Sequence, residues 1–331
     1  MKIAVLGAGA WGTALACHAA RRHHVSLWAR DAQLAAQMRQ ERANGRYLPG
    51  SGFPSGLDAT GDWDEALQAA DLLVIATPLA GLRSLALRLS DTPAAQGRPV
   101  VWMCKGLEAS TALLPHEVLE EVWPAARAGA LSGPSFAAEV AAGLPVALVV
   151  ATTQDAVATA CQNALHHGAA RIYRSDDLPG VETGGALKNI MAIAAGICDG
   201  LALGMNARAA LLTRGLAEMA RYAVALGARR ETLMGLAGMG DLVLTCTGNL
   251  SRNRTVGLRL AAGQSLTDIL TQLGHVAEGV ACCAAVRDRA RVLRVDMPVT
   301  DAVAQVLFEG LAPREAVLRL LAREPRDESL Q

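Results

Sequence analysis

Aromatic residues make up only 3% of this 331-residue sequence, and its charges cancel, with 31 bases against 31 acids. Both facts argue against a nucleic-acid surface, which needs basic residues interleaved with stacking rings. The seven cysteines (17, 104, 161, 198, 246, 282 and 283) form no CxxC pair and no Cys/His metal spacing, so no metal site is expected. They read as buried thiols of a reducing compartment, which predicts a cytoplasmic location. Long uncharged runs are scarce as well. Ile3 to Ala20 carries no acid, lysine or arginine. Its positive flank is Lys2 alone and its glycines are spaced as in a turn, so it is not read as an export signal. No other uncharged run is long enough to span a bilayer, and no membrane insertion is expected.

What is present suggests two domains, on length and on a shift in composition. All five tryptophans fall within the first 123 residues, and the later part is dominated by Ala, Leu, Gly and Arg. Lys2-Ile3-Ala4-Val5-Leu6 is a β-type run entering Gly7-Ala8-Gly9-Ala10-Trp11-Gly12, and a helical pattern follows from Thr13 to Arg22. Between a strand and a helix, GxGxxG predicts a dinucleotide-binding turn. Gly7 permits the tight turn, Gly9 admits a pyrophosphate to the backbone, and Gly12 lets the helix pack on the strand. The N-terminus of the helix that follows offers donors and a positive dipole to the phosphates.

After the second strand, Val25-Ser26-Leu27-Trp28, come Arg30 and Asp31. An arginine there accommodates the extra phosphate of NADP, whereas a carboxylate holds the ribose of NAD. The pair predicts NADPH preference with NAD also accepted. Apolar runs at 71–76, 99–103, 128–131 and 145–150 alternate with helical stretches such as 79–89 and 155–165. That alternation predicts an α/β, Rossmann-type, doubly wound parallel sheet over residues 1–177. Lys105, Gly133 and Ser135 each follow a strand end, where such sheets bind ligands; Lys105 taken alone reads equally as a solvated loop lysine.

Strand signals stop near Ser175, and an all-helical domain is expected over 178–331. Near its start, residues 184–197 are helix-forming and apolar on nearly every side, yet Lys188 and Asn189 sit in their midst. A buried ammonium loses its proton readily, so Lys188 is read as a proton-transfer group. Gly184 and Gly185 precede it and are expected to leave room for a ligand against the backbone. The glycine loop 235–240 closes on Asp241, a candidate anionic partner for Lys188. Helical pattern then resumes from about Asn253 to Ala262, with Gly263 as the terminating residue. Ser251, Arg252 and Asn253 at its start suit a phosphate clamp, because an anion reverses the penalty of arginine at a helix N-terminus; arginines merely facing water are the alternative. Glu278 lies in a turn-like segment, His275 to Val280, and spacing gives it no role. The tail from Arg323 is polar and expected to fray.

GAGAWGTALA at 7–16, the Lys105-Gly106 step, SGPSFAAEV at 132–140, GALKNI at 185–190, GLAGMGDLVLTC at 235–246, SRN at 251–253 and VAEGV at 276–280 occur in one order. Together they resemble the bacterial-type NAD(P)-dependent glycerol-3-phosphate dehydrogenases, essentially end to end. The resemblance implies that Lys188 is the proton donor and acceptor. It implies that Lys105, Gly133, Ser135, Asp241, Ser251, Arg252 and Asn253 surround glycerol 3-phosphate. Trp11, Arg30, Lys105, Ala137, Arg252, Val276 and Glu278 would contact the cofactor, and Lys105 and Asn189 would help position the reacting oxygen. A cytoplasmic homodimer serving glycerophospholipid synthesis is implied as well. Asp31 departs from a strict NADP pattern. Two other readings share the outline: a ketopantoate or β-hydroxyacid reductase, and a non-catalytic NADP sensor.

Overall fold

The computed structural model describes residues 1–273 and 277–322. Two compact units divide the chain: Met1–Cys104 with Pro115–Leu178, and Lys105–Leu114 with the residues from Pro179 onward.

The first unit opens with β1 (Lys2–Leu6), α1 (Ala10–Ala19), β2 (His24–Trp28), α2 (Ala32–Glu41), β3 (Leu57–Thr60), α3 (Trp63–Leu67) and β4 (Leu72–Ile75). It continues through α4 (Leu82–Ser90), β5 (Pro99–Trp102), α5 (Pro115–Val122), β6 (Arg127–Ser132), α6 (Ala137–Ala141), β7 (Val146–Ala151), α7 (Asp155–Leu165) and β8 (Ala170–Ser175). The eight strands form one sheet in the order β3-β2-β1-β4-β5-β6-β7-β8. Strand β4 is buried throughout and β1 from its second residue on, as befits central strands covered on both faces.

One step departs from the all-parallel expectation, for β7 runs antiparallel to β6. The connection explains it. Residues 133–136 are loop and α6 has only five residues, about 7.5 Å of helix. A six-residue strand is roughly 20 Å long, so α6 cannot carry the chain back along the sheet for a parallel return. The edge strand β8 then alternates buried and exposed residues at its start, as a strand with one solvated face should. Helix α1 also begins earlier than its apolar pattern suggests, at Ala10 with Gly9 as N-cap.

The second unit consists of α8 (Leu178–Gly200), α9 (Gly204–Ala225), α10 (Asp241–Thr247), α11 (Arg252–Ala261), α12 (Leu266–Leu273), α13 (Glu278–Leu293), α14 (Pro298–Phe308) and α15 (Pro313–Leu321). Its core surrounds α8, buried from Gly180 to Cys198; Leu187, Ile190 and Ile193 pack in one cluster with Met219, Tyr222 and Val286. Buried Glu218 of α9 caps a neighbouring helix. Its carboxylate accepts from the backbone N–H groups of Val299 and Thr300 at 2.8 and 2.9 Å and from Thr300 Oγ1 at 2.6 Å, at the start of α14. Helix α11 ends as its glycine predicts, with Gly263 at φ +82°. All seven cysteines are free and buried. Among the described residues no helix is long and apolar enough to cross a membrane.

Candidate active site

Lys188 lies midway along α8 and is 7% exposed. Its Nζ donates to Asp241 Oδ1 at 2.5 Å, and Lys105 Nζ donates to the other carboxylate oxygen, Oδ2, at 2.6 Å. One fully buried carboxylate therefore joins two lysines drawn from segments far apart in sequence. Asp241 is delivered by its backbone. A π-helical turn over Leu236–Gly240 leads into α10, whose first residue is Asp241; such turns recur at functional sites. Thr245 Oγ1 donates back to the Asp241 carbonyl at 2.6 Å and fixes that first turn.

Burial lowers the Lys188 pKa to about 8, and the nearby Lys105 charge pushes the same way while Asp241 opposes both. A lysine so placed is charged at neutral pH but gives up its proton within reach of it. The expected ligand space beside Gly184 is absent: a Cβ there would run into the Ala237 carbonyl oxygen. This glycine instead lets the loop before Asp241 close onto α8, which brings the carboxylate to Lys188.

A second polar chain runs from the next residue of α8. Asn253 Nδ2 donates to Asn189 Oδ1 at 3.0 Å, and Asn253 Oδ1 accepts from the Gly279 backbone N–H at 3.0 Å. Asn189 Nδ2 approaches Glu278 Oε2 at 3.4 Å, so Glu278 belongs to this network. Ser251 is the N-cap of α11 and accepts from the Arg254 N–H. Arg252 is exposed at that helix start, whereas Arg254 turns to Asp199 of α8, with Nη2 2.7 Å from Oδ2. The two arginines of this helix start thus differ, Arg252 exposed and Arg254 ion-paired. Asp199 escaped the sequence reading, although it stands eleven residues after Lys188, about three helical turns, and so on the same side of α8.

In the sheet unit the glycine motif has the geometry its sequence suggests. Gly7 has φ +127°, and a Cβ on Gly12 would strike the Gly7 carbonyl oxygen, whereas one on Gly9 would meet nothing within 4 Å. Ala10 and Trp11 form the first turn of α1. Arg30 is exposed just beyond β2. Asp31 is occupied: its Oδ1 accepts from the Gln33 and Leu34 N–H groups as the N-cap of α2. Gly133 has φ +133°, Ser135 Oγ donates to the Gly133 carbonyl at 3.2 Å, and Ala137 opens α6. Val276 lies outside the described residues, as does the tail from 323. Among the described residues no cluster of three or more His, Cys, Asp or Glu is placed to hold a metal ion.

Comparison with known proteins agrees over the whole chain. Residues 2–158 match the model for the N-terminus of NAD-dependent glycerol-3-phosphate dehydrogenase, and residues 177–318 match that for its C-terminus. A glycerol-3-phosphate dehydrogenase [NAD(P)+] of Paucimonas lemoignei is 56% identical, over 100% of this chain and 99% of that one. Its counterpart in Burkholderia lata is 58% identical, over 99% and 100%. The crystal structure of glycerol-3-phosphate dehydrogenase from Coxiella burnetii superposes with a TM-score of 0.93 at 41% identity, covering 97% of this chain and 99% of that one. With both halves matched in order and full-length relatives above half identity, the chain belongs to the NAD-dependent glycerol-3-phosphate dehydrogenase family.

Proposed function

We propose that this chain is an NAD(P)-dependent sn-glycerol-3-phosphate dehydrogenase, an oxidoreductase acting on a CH–OH group. It reversibly reduces dihydroxyacetone phosphate to sn-glycerol 3-phosphate for glycerophospholipid synthesis. The observation that carries the chemistry is the buried Asp241 carboxylate shared by Lys188 and Lys105.

The glycine cradle fits a dinucleotide, since the side of Gly9 is open at the N-terminus of α1. Gly7, Gly9, Ala10, Trp11 and Gly12 would hold the pyrophosphate end, with Arg30 toward a 2′-phosphate. Because the Asp31 carboxylate caps α2, NADPH is preferred and NADH is accepted. Equal kcat/KM for the two cofactors would remove the Arg30 assignment. Lys105, Ala137, Arg252, Val276 and Glu278 complete the cofactor contacts on the family's pattern.

When bound, the reduced nicotinamide supplies the hydride that adds to the substrate's carbonyl carbon. The proton is the work of this chain. Lys188, as ammonium, donates from Nζ to the carbonyl oxygen, and in the reverse direction its amine takes the proton back. Asp241 holds Nζ in place and sustains its charge against burial. Lys105 and Asn189 stabilise the oxygen as charge develops on it. Ser251, Arg252 and Asn253 hold the phosphate at the N-terminus of α11; Gly133 and Ser135 join the substrate contacts by the likeness of SGPSF to the family. The working form is a cytoplasmic homodimer, and sedimentation of a single chain mass would refute the dimer.

The test is NADPH oxidation by the purified protein with dihydroxyacetone phosphate, with unphosphorylated dihydroxyacetone, and with ketopantoate. Efficient turnover is expected with the phosphate ester alone, and turnover with ketopantoate instead would overturn the proposal. Lys188→Ala should lower kcat by about 100-fold or more while NADPH affinity, read by fluorescence titration, stays unchanged. Near-normal turnover in that variant would remove the proton-transfer role.

A further inference from the structure

Arg254 is the second cation at the start of α11, and its charge is already engaged. Its Nε and Nη2 donate to Asp199 Oδ2 at 2.9 and 2.7 Å, and the side chains are only 15% and 16% exposed. Arg208 of α9 donates to the same carboxylate through Nη1, at 3.2 and 3.1 Å. Two-point contact from a planar guanidinium fixes direction as well as distance.

Asp199 and Lys188 share one side of one helix, so this pair ties the helix of the proton donor to the helix that starts at Ser251 and Arg252. Two further ties lie between them. Asn189 accepts from Asn253 at 3.0 Å. Midway, α8 and α11 meet backbone to backbone: a Cβ on Gly196 would strike the Arg254 carbonyl oxygen, and one on Gly257 would strike that of Ile193. Side-chain slack is absent at such a crossing, and helices pinned above, at and below it neither slide nor swivel freely.

We infer that Asp199 is a positioning residue. By holding Arg254 it fixes the start of α11 relative to Lys188 Nζ, and so selects a substrate whose phosphate stands a set length from its carbonyl. It also withholds the Arg254 charge from the anion and leaves Arg252 to face it. The inference rests on the proposed function, and its test separates the two.

Asp199→Asn keeps the shape of the side chain and removes its charge. Steady-state kinetics are to be measured with dihydroxyacetone phosphate and with dihydroxyacetone, with inorganic phosphate as a competitive inhibitor. In Asp199→Asn the KM for the phosphate ester and the inhibition constant of inorganic phosphate should rise together, on the order of ten- to a hundredfold. The kcat, the KM for NADPH and kcat/KM for dihydroxyacetone should stay within about threefold of wild type. A fall in KM would mean that released Arg254 is itself the phosphate ligand, which overturns the inference. No change overturns it too, as does an equal loss on dihydroxyacetone, the mark of a merely structural defect. Arg254→Lys keeps a one-point pair and carries the same test if Asp199→Asn does not fold; it should give an intermediate KM. A wild-type protein inactive on dihydroxyacetone phosphate would sink the proposed function and this inference with it, whereas an active wild type with an indifferent variant would sink the inference alone.

Discussion

A single proton on Lys188 sets the direction in which the site works best. With its pKa lowered to about 8 by burial and by Lys105, the ammonium predominates below pH 8 and the amine above. Reduction needs the ammonium, so kcat for dihydroxyacetone phosphate should fall as pH rises through about 8. Oxidation of glycerol 3-phosphate needs the amine and should climb through the same range. Opposed limbs in the two pH–rate profiles check this, and parallel limbs would assign the titration to another group. Lys188 and Asp241 are legible in the sequence because each is a charge in apolar or glycine-rich company that folding must pair. The partner of Arg254 is not legible: Asp199 stands 55 positions away, and only the packing of α8 on α11 brings the two together.

At the level of elements, the glycine turn gives a clean contrast between folding and binding. Gly12 is closed off by the Gly7 carbonyl and the Ala76 side chain, while Gly9 is open. Gly12→Ala should therefore destabilise the sheet unit by several kcal/mol, seen as lost soluble protein or a lowered Tm. Gly9→Ala should melt like wild type and yet bind NADPH at least about tenfold more weakly, because its methyl occupies the approach to the backbone. The cap on α14 responds to pH instead. Burial raises the Glu218 pKa from 4.5 to about 7, against the hydrogen bonds from Thr300 and Val299. The folded state thus holds this proton more tightly than the unfolded chain does. Its contribution to stability is fully present below pH 4.5 and is lost as pH rises through about 7, roughly 3 kcal/mol in all. Glu218→Gln has no proton to lose, so denaturant titrations at pH 5 and pH 8 should show the wild-type decline flattened in the variant. Strands β1, β2, β4, β5, β6 and β7 are legible in the sequence as apolar runs. The edge strands β3 and β8 are not, because Leu57–Thr60 is short and interrupted by Asp58 and β8 exposes Arg171, Tyr173 and Arg174; the reversal at β7 depends on the length of α6.

Over the whole molecule, the sequence announces a sheet followed by helices through where its tryptophans lie and where its strand signals stop. It does not announce that Lys105–Leu114 packs with the helices, because a short excursion carries no composition of its own. The cysteines carry information of a different kind. Three of them (17, 104 and 161) belong to the sheet unit and four (198, 246, 282 and 283) to the helical one, all buried. Burial raises the pKa values of Cys17, Cys161, Cys246 and Cys283 to between about 11 and 12. Thiolate is the reactive form, so a colorimetric disulfide reagent should release no chromophore from the native enzyme. Labelling then waits for the fold to open. Release of three and four equivalents in separate phases would time the two units individually; release of seven together would time one shared transition. The chain is in effect supplied with its own stopwatch, and no probe need be engineered into it.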